Sequence, residues 1–139
     1  MQAAEAKGCL GSGLEGSAMS LEEFYESISG DLADVRGHLL TDERVTKFVK
    51  MFFDDPVNSQ LCGAMENDDF EAAFRAAHTL KGLAVGMGFT ALYDASYALT
   101  EALRPDDSGA PSDPGQVRPL FDKTEEEYNK VLEAFNTKF

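Results

Sequence analysis

Apolar side chains recur every three or four positions along most of this chain, and that spacing is typical of α-helices. The clearest case follows Asn67-Asp68-Asp69, a run of helix-capping residues whose negative charge suits a helix N-terminus. We expect Gly86 and Gly88 to end this helix. Its predicted buried stripe consists of Phe70, Ala73, Ala77, Leu80, Ala84 and Met87. Since no segment alternates apolar and polar residues, the sequence predicts an all-α, antiparallel bundle with short connections.

Further apolar runs predict helices before this one. Ser20 opens a capping box ahead of the first run. Gly30 and Gly37 interrupt that run, which therefore forms either one helix or two short ones. Thr41 or Asp42 starts the next helix.

Prolines mark other helix starts. Pro56 follows two aspartates and suits the first turn of a helix that carries Leu61 and Met65. The stretch 105–115 contains three prolines and two glycines, so we expect a loop there. Either Asp113-Pro114 caps the final helix or Pro119 forms its first turn, since proline is poorly tolerated deeper in a helix.

Composition limits the partners of the chain. Its 139 residues are enough for one domain, which we place at 19–139 behind a Gly/Ser-rich flexible tail at 1–18. The formal net charge is −13. A nucleic-acid-binding protein needs a basic surface, and an anionic membrane would repel this chain, so we expect neither partner.

The two cysteines, Cys9 and Cys62, are far apart in the sequence and do not suggest a disulfide framework. Together with two histidines they lack the spacing of metal ligands, so no metal or other cofactor is expected. No apolar run is long enough for a membrane span, and no signal peptide is visible. We expect a cytoplasmic location.

His78 is the strongest candidate for chemistry. Lys81 at i+3 lies on the same helical face, where its mobile ammonium suits phosphoryl oxygens. Gly82 at i+4 places no side chain over the approach to the histidine. A neutral imidazole is a nucleophile near neutral pH. A nucleophile, a cation and an open approach together suit a group that accepts and releases phosphoryl at a protein–protein contact.

The run His78-Thr79-Leu80-Lys81-Gly82, with Gly88 ten residues after the histidine, resembles the histidine-containing phosphotransfer (HPt) domain family. The resemblance runs from about Leu21 to Arg104 and more loosely to the end. It implies a four-helix bundle with an additional N-terminal helix or helices, with the histidine on the second bundle helix. It also implies a histidine phosphocarrier of a multistep two-component phosphorelay.

In such a relay, His78 would exchange a phosphoryl group with aspartates of response-regulator receiver domains, which would hold the Mg²⁺ of the reaction. The sequence has no phosphate-binding glycine loop and no kinase nucleotide motif. The chain is therefore expected to have no ATP-dependent kinase activity of its own. A sensor histidine kinase would start the relay, and we expect a monomer.

Further residues are candidates for a supporting role. Arg75 at i−3 and Arg104 on the following helix are cations, and the resemblance places Arg104 where many members have a basic residue near the histidine. It places Thr100 where members often have a glutamine or glutamate that holds the imidazole. Thr100 is short, and in this respect the sequence departs from the family's pattern for the residue that orients the histidine.

We predict a docking patch around His78 that consists of Phe74, Ala77, Thr79 and Val85, with Phe74 alternatively in the core. Gly88 is assigned a structural role in the turn. His38 has no spaced lysine or glycine, so we expect an ordinary surface residue.

Two other functions fit the sequence. The chain could be a non-phosphorylated helical module that docks receiver domains or other signalling partners. It could also be the phosphoacceptor domain of a chemotaxis-type kinase, although no kinase domain accompanies it in this sequence.

Overall fold

The computed structural model describes residues 21–39 and 41–138, so the predicted tail at 1–18 and the Ser20 cap lie outside the described residues. Seven helices form within this part of the chain: α1 (Leu21–Ser27), α2 (Leu32–Leu39), α3 (Asp42–Asp54), α4 (Val57–Glu66), α5 (Phe70–Gly86), α6 (Thr90–Leu103) and α7 (Pro114–Lys138). The described ranges contain no strand, only one isolated bridge between Pro105 and Pro111 in the loop before α7. The predicted all-α fold is confirmed.

The four helices α4 to α7 form the bundle. Helix α5 packs against α4 and α6, and α7 packs against α6. The shorter helices α1 to α3 precede the bundle, with α1 in contact with α7 and α2 in contact with α3. Helix α5, which carries His78, is thus the second helix of the bundle.

The first apolar run forms two helices because the chain turns tightly at Gly30. A Cβ at Gly30 would lie 2.7 Å from the Gly88 carbonyl oxygen, so only glycine permits this close approach. Gly37 stays inside α2, where an added Cβ would meet nothing within 4 Å. Thr41 caps α3, and its hydroxyl accepts a backbone N–H of the first turn at 3.2 Å.

Helix α7 begins at Pro114, and Pro119 lies inside it, so the alternative start at Pro119 is wrong. Pro114 has the fixed φ that suits a first helical position. The Gln116 N–H bonds to the Asp113 carbonyl at 3.0 Å and closes a turn at this end. Because Pro119 has no N–H, the helix gives up one backbone hydrogen bond further along.

Helix α5 begins and ends where its capping residues predict. The Asp69 carboxylate accepts the Ala72 N–H at 3.2 Å, and the helix ends at Gly86. Phe70 is only partly buried, whereas the sequence pattern predicted it in the buried stripe. The fully inward side chains are mostly small, and they are Ala73, Ala76, Ala77, Leu80 and Ala84. Small side chains at a helix contact let the axes of the two helices approach closely.

An aromatic cluster joins α3 to the bundle. The Phe89 ring, just before α6, meets the Phe52 ring edge-on at a centroid distance of 5.1 Å and the Phe24 ring at 6.2 Å. Tyr128 of α7 contacts Phe52 at 5.9 Å. Edge-to-face ring pairs are favourable beyond the apolar area that they bury. The cluster therefore fixes α1 and α3 against one end of the bundle.

The turn between α5 and α6 is held by the N-terminal helices. Gly88 has a φ of 70°, in the left-handed region that favours glycine. Its carbonyl accepts the Asp31 N–H at 2.8 Å. The buried Tyr25 hydroxyl donates to the Met87 carbonyl at 2.7 Å, and His38 Nε2 lies 3.0 Å from the Gly86 carbonyl. The C-terminal end of the His78 helix is thereby attached to α1 and α2.

Candidate functional site

His78 lies near the middle of α5 with its side chain exposed. Its imidazole ring stacks on the Phe74 ring one turn earlier, at a centroid distance of 6.3 Å and an interplanar angle of 23°. Neither ring nitrogen makes a hydrogen bond to any residue that the structure describes. The exposed ring is thus held by stacking, and its nitrogens stay unbonded to the described residues, as an acceptor group at a protein surface requires.

Phe74 also contacts Arg104, the residue that caps the end of α6. The Arg104 guanidinium carbon lies 5.3 Å from the centroid of the Phe74 ring. Glu101 holds the same guanidinium through Nη2–Oε2 and Nε–Oε1 contacts of 2.7 and 3.3 Å. Arg104, Phe74 and His78 therefore form a continuous stack from α6 to the imidazole, and Phe74 belongs to the site as well as to the edge of the core.

Glu101 lies on the face of α6 that carries the residues in contact with Phe74 and Lys81. The Arg104 hydrogen bond holds the pKa of the Glu101 carboxyl below its usual range, and the positive charges of Arg104 and Lys81 add to the effect. The carboxylate thus interacts electrostatically with the candidate cation Lys81. Glu101 was not among the residues predicted from the sequence, although its position at i−3 from Arg104 was an available signal.

Lys81 is partly buried, not fully exposed as its surface position suggested. The cause is Tyr97 of α6, since the Lys81 ammonium lies 5.3 Å from the centroid of the Tyr97 ring. No carboxylate among the described residues forms an ion pair with Lys81. Tyr97 was also missed by the sequence analysis, although it precedes Glu101 by four residues and so lies on the same face of α6.

Open space adjoins the histidine on its C-terminal side. A Cβ at Gly82 would meet no atom within 4 Å outside its own helical turn. Thr79 is exposed, and the Val85 side chain is 49% exposed. These residues and Phe74 are accessible to a partner. Ala77 is completely buried, so its assignment to the docking patch is wrong: it lies 100° around the helix from His78 and faces the core.

Arg75 and Thr100 do not contact the imidazole. Arg75 is exposed and pairs with Glu71 at 3.4 Å within α5. Thr100 is fully buried, and its hydroxyl donates to the Ser96 carbonyl at 2.7 Å. Thr100 therefore cannot hold His78, because its side chain faces the bundle interior. The next residue, Glu101, lies about 100° further around α6 and faces the site.

Residues 21–39 and 41–138 contain neither a metal centre nor a membrane-spanning helix. The His, Cys, Asp and Glu side chains there do not gather into a group able to hold a metal ion. No helix in the same ranges combines the length and apolarity that a membrane crossing demands.

Comparison with known proteins identifies the family. The family model of the Hpt domain matches residues 19–135, which is most of the chain. Searches of curated proteins and of solved structures gave no match. The matched range contains α4, α5 and α6, all of α7 except its last three residues, and every residue placed around His78. The chain therefore belongs to the Hpt domain family, whose members are histidine phosphotransfer modules of two-component signalling.

Proposed function

We propose that this protein is a histidine phosphocarrier in a multistep phosphorelay, in which His78 exchanges a phosphoryl group with aspartates of receiver domains. One observation carries the proposal. An exposed imidazole lies one helical turn before Lys81, a cation that makes no ion pair with a described carboxylate, and before Gly82, an unobstructed helical glycine. Positioning and charge compensation supply most of the catalysis in phosphoryl transfer, and this arrangement offers both.

The transfer needs no further reactant. The unprotonated nitrogen of the neutral imidazole attacks the phosphorus of an aspartyl phosphate on the receiver. The N–P bond forms as the P–O bond to the aspartate breaks, and the electron pair of that bond leaves with the carboxylate. The other ring nitrogen keeps its proton, so the phosphorylated imidazole carries a positive ring charge beside the phosphoryl dianion. Transfer back to an aspartate reverses each of these changes.

The side chains around His78 have separate roles in the proposed transfer. Lys81 compensates the phosphoryl charge as it develops, and Arg104 adds a second cation close to Phe74. Phe74, Thr79 and Val85 supply contact surface for a receiver, while Gly82 leaves room for its backbone. Arg75 contributes to the same surface in its ion pair with Glu71.

The relay begins on another protein. We assign the supply of phosphoryl groups to a sensor histidine kinase and their exchange to receiver domains, with this chain as a monomeric, cytoplasmic intermediate that has no kinase activity. Incubation of the chain alone with ATP and Mg²⁺ should leave it unlabelled, and incubation with the kinase and a receiver should label it.

The direct test uses a receiver domain that carries labelled aspartyl phosphate. Mixing it with this protein should move acid-labile label onto His78, and His78→Gln should abolish that transfer. His38→Gln is the matched control, because His38 is also an exposed helical histidine but has no Lys-Gly pair after it. Undiminished labelling of His78→Gln would contradict the proposal.

The docking module without phosphorylation is a second candidate, favoured by the absence of any hydrogen bond that orients the imidazole among the described residues. The same mixture distinguishes the two functions. A receiver that binds tightly but transfers no label to the wild-type chain would support docking alone.

A further inference from the structure

Three cations flank His78, and they are not held in the same way. Arg75 pairs with Glu71. Arg104 donates hydrogen bonds from Nε and Nη2 to the two carboxylate oxygens of Glu101. Lys81 instead rests over the Tyr97 ring at 5.3 Å. Among the residues that the structure describes, no carboxylate lies within ion-pair distance of Lys81, whereas both arginines have such a partner.

The chemical nature of the side chain that contacts Lys81 determines whether its positive charge stays available to a phosphoryl group. A carboxylate at the position of Tyr97 would bind the ammonium and compete with an incoming phosphoryl group for it. An aromatic face attracts a cation through its quadrupole and leaves the net positive charge in place. A lysine side chain has many rotamers, so a ring that restricts them lowers the entropy lost when the ammonium binds phosphate.

We propose that Tyr97 is a positioning residue for phosphotransfer: its ring holds Lys81 near His78 without neutralising it. The inference rests on the proposed function of His78 and adds a residue that the motif does not contain. Tyr97 lies on a different helix from Lys81, and the residue is 47% exposed. The ring rather than the hydroxyl carries the effect.

The proposal predicts a difference between two substitutions. Tyr97→Phe keeps the aromatic face and should leave the lifetime of phospho-His78 close to that of the wild type. Tyr97→Leu removes the face and should shorten that lifetime about two- to fivefold, the size of an exposed cation–π contact. Because the side chain is half exposed, both variants should fold, and thermal melting checks this. Phe48→Leu, at another exposed aromatic residue on α3, is the matched control.

The experiment measures loss of label from phosphorylated protein after the receiver has been removed, so that a docking role of Tyr97 cannot affect it. Each variant is made in the wild-type and in the Lys81→Ala background. The expected result is that Tyr97→Leu shortens the lifetime only where Lys81 is present. An unchanged lifetime in Tyr97→Leu, or an equal loss in both backgrounds, would overturn the proposal.

A second measurement does not depend on phosphorylation. The Tyr97 ring should shift the NMR signals of the Lys81 ε-methylene upfield, and this shift should persist in Tyr97→Phe and vanish in Tyr97→Leu. A signal at the same position in all three proteins would contradict the contact itself. A wild-type protein that shows the shift but accepts no label from any receiver would overturn the proposed function. If the wild-type protein is labelled but Tyr97→Leu does not shorten the lifetime of phospho-His78, only the role of Tyr97 is overturned.

Discussion

The Tyr25 hydroxyl donates a buried hydrogen bond to the Met87 carbonyl, and the 2.7 Å contact joins residues that are 62 positions apart. Met87 caps the C-terminal end of the helix that carries His78. The Asp31 N–H bonds to the neighbouring Gly88 carbonyl, so two short N-terminal helices hold the end of the site helix together. The N-terminal helices therefore contribute to the geometry of the candidate site by fixing the end of the helix that carries it.

Tyr25→Phe should lower the free energy of unfolding by about 1–3 kcal/mol, because the buried Met87 carbonyl loses its donor. Urea denaturation at neutral pH measures this change. The rings of Phe24 and Phe89 remain in place around the substituted ring. Equal midpoints for the two proteins would mean that the hydrogen bond contributes nothing to stability.

Tyr25 should also affect stability at alkaline pH. Burial raises the pKa of its phenol above the ordinary value of about 10. The unfolded chain then loses this proton at a lower pH than the folded chain does. The stabilisation is fully present below about pH 10 and is lost as the pH rises through the folded pKa. Tyr25→Phe should therefore lose less stability than the wild type between pH 9 and 11, as followed by urea midpoints; parallel curves would contradict this.

Gly88→Ala should destabilise the protein more than Gly109→Ala. Both glycines have a positive φ, 70° and 87°, so both substitutions cost about 1–2 kcal/mol in left-handed strain. A Cβ at Gly88 would in addition lie 2.6 Å from the Asp31 carbonyl oxygen, while a Cβ at Gly109 meets open space. The difference between the losses of unfolding free energy in the two variants measures the cost of displacing the N-terminal helices from Gly88. Equal losses would show that this approach relaxes without cost.

Gly82→Gln should strengthen the fold and weaken docking. A helix-interior glycine costs about 0.5–1 kcal/mol relative to a good helix former, and the space over Gly82 is open, so the melting temperature should not fall. The long side chain would nevertheless occupy the approach to His78, and we expect at least tenfold weaker receiver binding. Gly37→Gln is the control, since Gly37 is an exposed helical glycine with equal room. Receiver affinity that is unchanged in Gly82→Gln would exclude the steric role.

Lys81→Ala should impair transfer much more than folding. The lost contact with the Tyr97 ring should cost less than about 1 kcal/mol of stability. A charge-assisted contact to phosphate is worth about 1.5–3 kcal/mol, a factor of ten or more in the lifetime of phospho-His78 or in the rate of transfer. Thermal melting and single-turnover transfer measure the two effects. A variant that unfolds early but transfers normally would assign Lys81 to the fold.

The sequence predicted the local features of the site helix well. Asp69 caps α5 and Gly86 ends it, because capping depends on residues within one turn of each other. The spacing of His78, Lys81 and Gly82 follows from helical geometry alone. The choice between Pro114 and Pro119 as the start of α7 was left open, since both prolines suit a first turn and only the packing of the whole chain selects one.

Contacts between helices were predicted less well. The family resemblance pointed to Thr100, yet the side chain that faces the site is Glu101, because one residue turns the helix by 100°. Tyr97 was missed for the same reason: its contact with Lys81 depends on the rotation and crossing of two helices. Hydrophobic spacing shows which face of a helix is buried but does not specify which partner each rim residue meets.

The alanines on the inner face of α5 affect how the surface around His78 can change during evolution. Ala73, Ala77 and Ala84 are completely buried, and their size limits how near α5 lies to its neighbours. These alanines in the core therefore help to set the distance between Lys81 on α5 and Tyr97 on α6. Substitutions that add or remove single methyl groups in the core can therefore change the spacing of the side chains around His78. Every residue that a partner contacts can stay the same while this happens.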